Sequence, residues 1–557
     1  MNSLINASGL LAGVFLCLLG TAVRASDSTN DSESVIPDGL QLEAESAVIG
    51  KISFRILDIF NTDLPEENRL LYRWANRLHI RTHRSVIEDQ LLFRSGDSYS
   101  EQAVAESERI LRKNKYIQDA HIFPVAYHDG VVDLEVTTRD VWTLHPGVSF
   151  GRKGGENSSN FEIEDTNFLG RGVRLSLTRH NTVDRTERFI HYTDEQLFGS
   201  WWRLNGKYAN NSDGYEKILD LDRPFYSLNT RNAGGLNALD NLFTYSLYNF
   251  GKITDQFQQQ HKRVNLYEGW SASGLLNNRV SRWTTGLTYD ENTFATLPDT
   301  LDPAVVPEDR KLVYPWIAYE TIENDYHKIR NHDQIGRIED FYFGTHVYAS
   351  AGYAATGYGS NRNAWVFSAL AENGISDQDD KHALLLHAEV SGRHERGEFT
   401  NTVISPKISY YWAQTDSWLL YMNLQGDYAR RLDKDNPLLL GGENGLRGYP
   451  LRYQSGDRRF LFTLEQRLYS SWYPLRLVRV GGAIFFDAGR AWSSERSTSL
   501  TDTTGDDGVL RDIGFGLRFG NTRSGRGSVI HIDVAFPLDG DASIDSVQFS
   551  VDTKASF

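Results

Sequence analysis

Two stretches carry residue types that could do chemistry together. Gly441-Gly442-Glu443-Asn444-Gly445-Leu446-Arg447-Gly448-Tyr449 is too irregular and glycine-rich for a strand and puts one arginine at its tip. Further along, Phe485-Phe486-Asp487-Ala488-Gly489 alternates as a strand does and carries one carboxylate. Glycines admit backbone angles closed to other residues and let a loop pack into a confined space. A guanidinium withdrawn from water needs a carboxylate, because an unpaired buried charge costs several kcal/mol. The chemistry on offer is therefore ion pairing between Arg447 and Asp487, against the alternative of a surface loop with a solvated arginine. There is no Gly-x-Ser-x-Gly, the nearest string being Gly357-Tyr358-Gly359-Ser360-Asn361, and no His-Glu-x-x-His. His121, His191, His531 and the acidic run Asp377 to Asp380 lack the spacing of a metal motif. No catalytic residue, metal or cofactor is expected, and the chain is not read as an enzyme.

The elements that would position this pair follow from composition. Of 557 residues 12% are aromatic and 47 are glycine, while Cys occurs once and Met twice. That profile favours strands over helix cores. No apolar run of eighteen residues follows the N-terminus, which excludes a helical span. The net charge of −15 offers no basic face for nucleic acid. Residues 1–25 read as a secretory signal, with an apolar run from Leu10 to Leu19 and Val23 and Ala25 before the cleavage point. Cys17 lies inside that run, so disulfides play no part in the mature chain. Residues 26–50 are acidic and polar and read as a disordered lead-in.

Residues 51–142 mix α and β patterns. Ile52, Phe54 and Ile56 alternate as a half-buried strand. Helices are expected near Asn68 to His79, from Thr82 to Phe93 with Thr82 as cap, and from Ser100 to about Lys115. Strands Ile117 to Tyr127 and Val131 to Trp142 follow, joined at His128-Asp129-Gly130, a strong hairpin signal. This order resembles a POTRA domain, whose exposed sheet edge would accept an extended client segment as a further strand.

From residue 143 onward the helical period gives way to apolar/polar alternation. Val173, Leu175 and Leu177 oppose Arg174, Ser176 and Thr178; Ile530, Ile532, Val534 and Phe536 oppose His531 and Asp533. A tilted strand crosses a bilayer in about 9–11 residues, and strands can do so only as a closed barrel. Trp201, Trp202, Phe225, Tyr226, Tyr410, Tyr411, Trp412 and Tyr473 would suit interfacial girdles. Direct counting gives up to 20 strands, falling toward sixteen if Asn241 to Gln260 is an extracellular loop. Val547, Phe549 and Val551 share a parity with Phe557, a pattern that resembles the C-terminal signal of outer-membrane barrels.

With these residues in place, the chain resembles the superfamily of BamA and TamA insertases and two-partner-secretion transporters. The resemblance rests on Leu446-Arg447-Gly448-Tyr449 and Phe485-x-Asp487-x-Gly489. Supporting stretches are Asn167-Phe168-Leu169-Gly170-Arg171-Gly172, Asp325 to Arg337 and Gly514-x-Gly516-x-Arg518. It implies a mainly β fold: one α/β POTRA-like domain in the periplasm, then an antiparallel transmembrane β-barrel of 16 strands in the bacterial outer membrane. A loop near 438–458 would fold inward, and Arg447 would meet wall carboxylates Asp487 and Glu465. The implied function is capture of unfolded polypeptide clients at the POTRA edge and their insertion into, or passage across, the outer membrane, at a seam between the first strand and the last, which ends at Phe557. The implied partners are the lipid bilayer, those clients, and periplasmic chaperones or accessory subunits. The competing reading is a passive channel or lipid-handling barrel. The chain has room for a single POTRA unit, and it lacks both a plug helix and a lipase domain.

Overall fold

The computed structural model describes residues 36–494, 508–524, 529–540 and 544–554. The expected signal peptide and Phe557 lie outside them. A small α/β domain comes first. Helix α1 (Gly39–Ala44) opens with a capping box between Asp38 and Gln41, and Leu42 is fully buried in the domain core. Residues 39–49 thus belong to the domain although they fall in the stretch expected to be disordered up to Gly50, because Leu42, Ala47 and Ile49 supply an apolar anchor among the acidic residues. Strand β1 (Val48–Leu57) pairs in parallel with β3 (Val131–Asp140), which pairs antiparallel with β2 (Ile117–His128). Asp129 and Gly130, at φ 51° and 77°, make the expected turn. Helices α2 (Leu70–Leu78) and α4 (Glu101–Lys113) lie where expected, and Ser100 caps the latter. The middle helix is only Arg84–Glu88, here α3. Thr82 does not cap it, since its hydroxyl and amide are both engaged by the buried carboxylate of Asp140.

The rest is a closed antiparallel barrel of twenty strands among the described residues, from Leu144–Lys153 to Gln548–Lys554. The count by alternation stands; sixteen, implied by the resemblance, does not. Asn241 to Gln260 is no loop: strands Asn232–Asn249 and Lys252–Trp270 pair along their length around a two-residue turn, with Tyr245 stacked on Phe257.

The barrel is apolar outside and polar inside. On strand Leu510–Asn521, Ile513, Phe515 and Leu517 are exposed while Asp512 and Arg518 are fully buried. Leu177, Trp283, Ile484, Ile530 and Phe549 likewise face out, opposite buried Ser176, Arg282, Glu465 and Asp533. This is the inverse of a water-soluble barrel and the pattern of a wall in contact with lipid. The girdle expectation holds only in part. Trp202 and Trp412 are exposed, but Tyr411 is buried against the lumen, and Trp201 stacks on Tyr226 beneath the rim.

Two segments fill the lumen. At the end remote from the α/β domain, residues 431–457 fold inward, with Leu438–Leu440 paired to Gln454–Gly456. At the near end a hairpin of Tyr326–Arg330 and Ile338–Tyr342 stands apart from the wall. Its Ile329 and Ile335, with Phe343 just beyond it, pack against wall residues Tyr411, Leu419, Tyr469 and Val529. The α/β domain is seated on that end. Arg112 of α4 grips Asp340 of the hairpin at 3.0 and 2.7 Å, Lys328 pairs with Glu108 at 2.7 Å, and the Leu228 amide donates to Glu106 at 2.9 Å.

Candidate functional site in the barrel lumen

The inward loop ends in the arginine that the sequence singles out. Its backbone is held by an apolar cluster of Leu440, Leu446, Tyr449, Tyr453, Leu461, Ala491 and Leu510. Leu446 and Tyr449 are fully buried. The Tyr449 hydroxyl donates to the Arg511 carbonyl at 2.7 Å and accepts from the Arg511 amide at 3.1 Å, fixing the loop to the wall. Gly448 is required by proximity: its amide donates to Asp512 at 3.0 Å, and a Cβ there would lie 2.6 Å from the Asp512 Cβ. Arg452 ties the loop to the far rim, pairing with Asp184 and Glu443 at 2.7 Å each.

From this platform Arg447 reaches both expected carboxylates. Nε and Nη2 donate to the two oxygens of Asp487 at 2.7 and 2.9 Å, and Nη1 donates to Glu465 at 2.6 Å. The guanidinium lies 3.4 Å over the Phe485 ring. A planar fork that stacks on an aromatic while engaging a carboxylate through two bonds uses what arginine has and lysine lacks. Asp487 is fully buried and Glu465 nearly so. Phe485, Asp487 and Gly489 share the inward face, and Gly489 leaves room for Leu440 of the loop, whose Cδ2 would sit 3.1 Å from a Cβ. Phe549 and Val551, expected as part of a terminal signal, lie on the last strand beside the seam, on either side of Ser550, which pairs with Asp533.

Three participants went unrecognised. Asp512, opposite Asp487 in the ladder, receives the Gly448 amide. Arg518, quoted only as part of a motif, forms a fully buried ion pair with Asp533. Arg467 donates to the second oxygen of Glu465 at 2.9 Å and to the His332 carbonyl of the near-end hairpin at 2.9 Å, while lying over Tyr421. The signal that could have found them is strand parity: Glu465 with Arg467, and Asp512 with Arg518, sit at inward positions of strands whose outward positions are apolar.

The arrangement binds and braces, with the arginine saturated by carboxylates and an aromatic face. Fold and site together define a closed twenty-strand β-barrel with an apolar outer wall and an arginine-tipped loop folded into its lumen. No protein-family model matches the chain. Among curated proteins it is similar to the heme/hemopexin transporter protein HuxB of Haemophilus influenzae (strain 86-028NP), 27% identical over 139 residues, or 25% of this chain and 24% of that protein. The match thus spans about a quarter of the relative's length. Among solved structures it is similar to BamA from Haemophilus ducreyi lacking POTRA domains 1–3, at 14% identity and TM-score 0.38, covering 91% of this chain and 85% of that one. It is also similar to CdiB from Acinetobacter baumannii, at 12% identity and TM-score 0.45, covering 91% and 74%.

Proposed function

We propose that this chain is an outer-membrane barrel that takes up polypeptide clients at its α/β domain, on the periplasmic side, and inserts them into or passes them across the membrane. The observation that carries this reading is the seam. Among the described residues, the first strand pairs with its other neighbour through ten residue pairs and the last through seven, while the ladder between the two is the single pair Val551 and Arg152, helped by Lys153 with Asp552 at 2.8 Å. A ladder so short opens readily, and an opened edge templates further strands. The order strand, helices, hairpin supports reading the first domain as a POTRA module. Its sheet order β1-β3-β2 gives β2 no further partner strand among the described residues; Arg112 and Glu108 take the Ala120 carbonyl and Ile122 amide, while Val125 is exposed beyond them.

A second reading, a passive channel, is favoured by two cavities, one of about 930 Å³ between α4, the near-end hairpin and the wall, and one of about 690 Å³ between the wall and Asp433 and Asp435 of the inward segment. Photo-crosslinkers at positions 121 and 125 in living cells distinguish the two. Recovery of nascent barrel or secreted polypeptides is expected; their absence, alongside steady conductance in planar bilayers, would overturn the insertase reading in favour of the channel.

A further inference from the structure

Helix α2 carries three distinct faces. At about 100° per residue, Tyr72, Ala75, Asn76 and His79 point one way. Tyr72 is stacked on Phe60 with ring centroids 4.3 Å apart, Asn76 exchanges hydrogen bonds with the Phe60 backbone, and His79 bonds Asp140. That face is the helix's attachment to its own domain. Leu70, Leu71, Trp74 and Leu78 fall together on a second arc of about 100°, and each is more than half exposed, from 53% for Trp74 to 65% for Leu70. Arg69, Arg73 and Arg77 line the third, along one border of the apolar arc. An exposed stripe of three leucines and a tryptophan, edged by arginines, is not what a water-facing helix displays.

Its position says what covers it. The Tyr72 hydroxyl donates to the carbonyl of Leu475, in the turn that joins barrel strands Arg458–Tyr469 and Val478–Trp492 at the near rim. Leu477 of that turn packs into the same cluster as Tyr72. Trp472 and Leu475 on the turn are themselves 63% and 58% exposed, and Ile484 and Leu517 on the adjoining wall strands also face outward. Arg523, just past strand Leu510–Asn521, clamps the preceding segment through Glu67 and the Ile59 carbonyl. The helix is therefore fixed at the near rim of the barrel, with its apolar arc and arginine border exposed there.

The geometry points to α2 as an interfacial helix: its leucine and tryptophan face lies in the bilayer leaflet at the near end of the barrel, with Arg69, Arg73 and Arg77 among anionic phospholipid headgroups. A large apolar arc with a cationic border has the character of helices that lie in the plane of a membrane. The α/β domain is thereby attached to lipid as well as to the barrel, whatever its clients are.

The test uses the full chain with Cys17→Ser, spin-labelled at Trp74→Cys or, separately, Leu78→Cys, and reconstituted in phosphatidylcholine vesicles with or without phosphatidylglycerol. Lys51→Cys on β1 is the water-exposed control. Heat-modifiable gel migration confirms a folded barrel, and two label sites keep the result readable if one variant misfolds. Labels at 74 and 78 are expected to lose accessibility to a water-soluble nickel chelate several-fold relative to position 51 while gaining accessibility to oxygen. The loss is expected to be larger with phosphatidylglycerol, a difference that the triple variant Arg69→Gln, Arg73→Gln, Arg77→Gln removes. Nickel accessibility equal to that at position 51 in both vesicles would overturn the proposal. Shielding from nickel and oxygen alike would also overturn it, assigning the face to a protein partner or a second copy of the chain.

Discussion

At the scale of single residues, the lumen site is an arginine held from three directions by Asp487, Glu465 and the Phe485 ring. Arg447→Ala leaves the buried Asp487 without its cation and Glu465 with Arg467 alone, and breaking a buried pair typically costs ~3–5 kcal/mol. A twenty-strand wall is expected to survive it, so the variant should remain heat-modifiable on gels but lose client assembly. Wild-type activity would remove the site from the mechanism. Arg447→Lys is expected to recover little, because an ammonium cannot make the two-bonded, stacked arrangement. Exchanging the charges of positions 447 and 487 should rescue only partly, since Glu465 would then face an aspartate. The pair itself was legible in the sequence, because a glycine-bound arginine and a lone strand carboxylate each need a partner once both are inside a barrel. Asp512 was not, because its role is to receive a backbone amide, and no residue type announces that.

At the scale of elements, the near-end hairpin and the seam carry the testable mechanics. The hairpin overlaps the stretch Asp325 to Arg337, quoted for the resemblance but not read as a lumen element, because its five-residue length and its salt bridges to α4 show only in the fold. Burial, with Asp333 beside it, pushes the Glu339 carboxyl up to about 8, against the pull of the His332 and Asp333 amides that donate to it. A carboxyl with a raised folded-state pKa stabilises below its unfolded value near 4.5, and that contribution is lost as pH rises through about 8. Hydrogen exchange of residues 326–342 should therefore quicken between those pH values, and Glu339→Gln should flatten the profile. For the seam, cysteines replacing Arg152 and Val551 are expected to crosslink under oxidation and to halt client assembly reversibly, with reductant restoring it. Undiminished assembly by the crosslinked protein would mean that clients do not use this edge.

At the scale of the whole molecule, alternation was the reliable guide to strand number, even though register shifts interrupt it at Leu247/Tyr248 and Ser391/Arg393, whereas the resemblance carried a strand number from smaller barrels. Barrel diameter grows with strand number, and a wall of this size leaves a lumen that side chains alone cannot fill. The chain fills it with its own arginine loop and hairpin. Deleting residues 326–342 is therefore expected to raise single-channel conductance in planar bilayers well above that of the intact protein, whereas unchanged conductance would mean that the arginine loop alone seals the lumen. Glu465 gives the two fillings a common dependence. One of its oxygens takes Arg447 from the far end, and the other takes Arg467, which in turn holds the hairpin through His332. Withdrawing either segment thus loosens the grip on the other, and by reciprocity each should feel the other's departure equally. The barrel behaves as an airlock whose two doors share one latch.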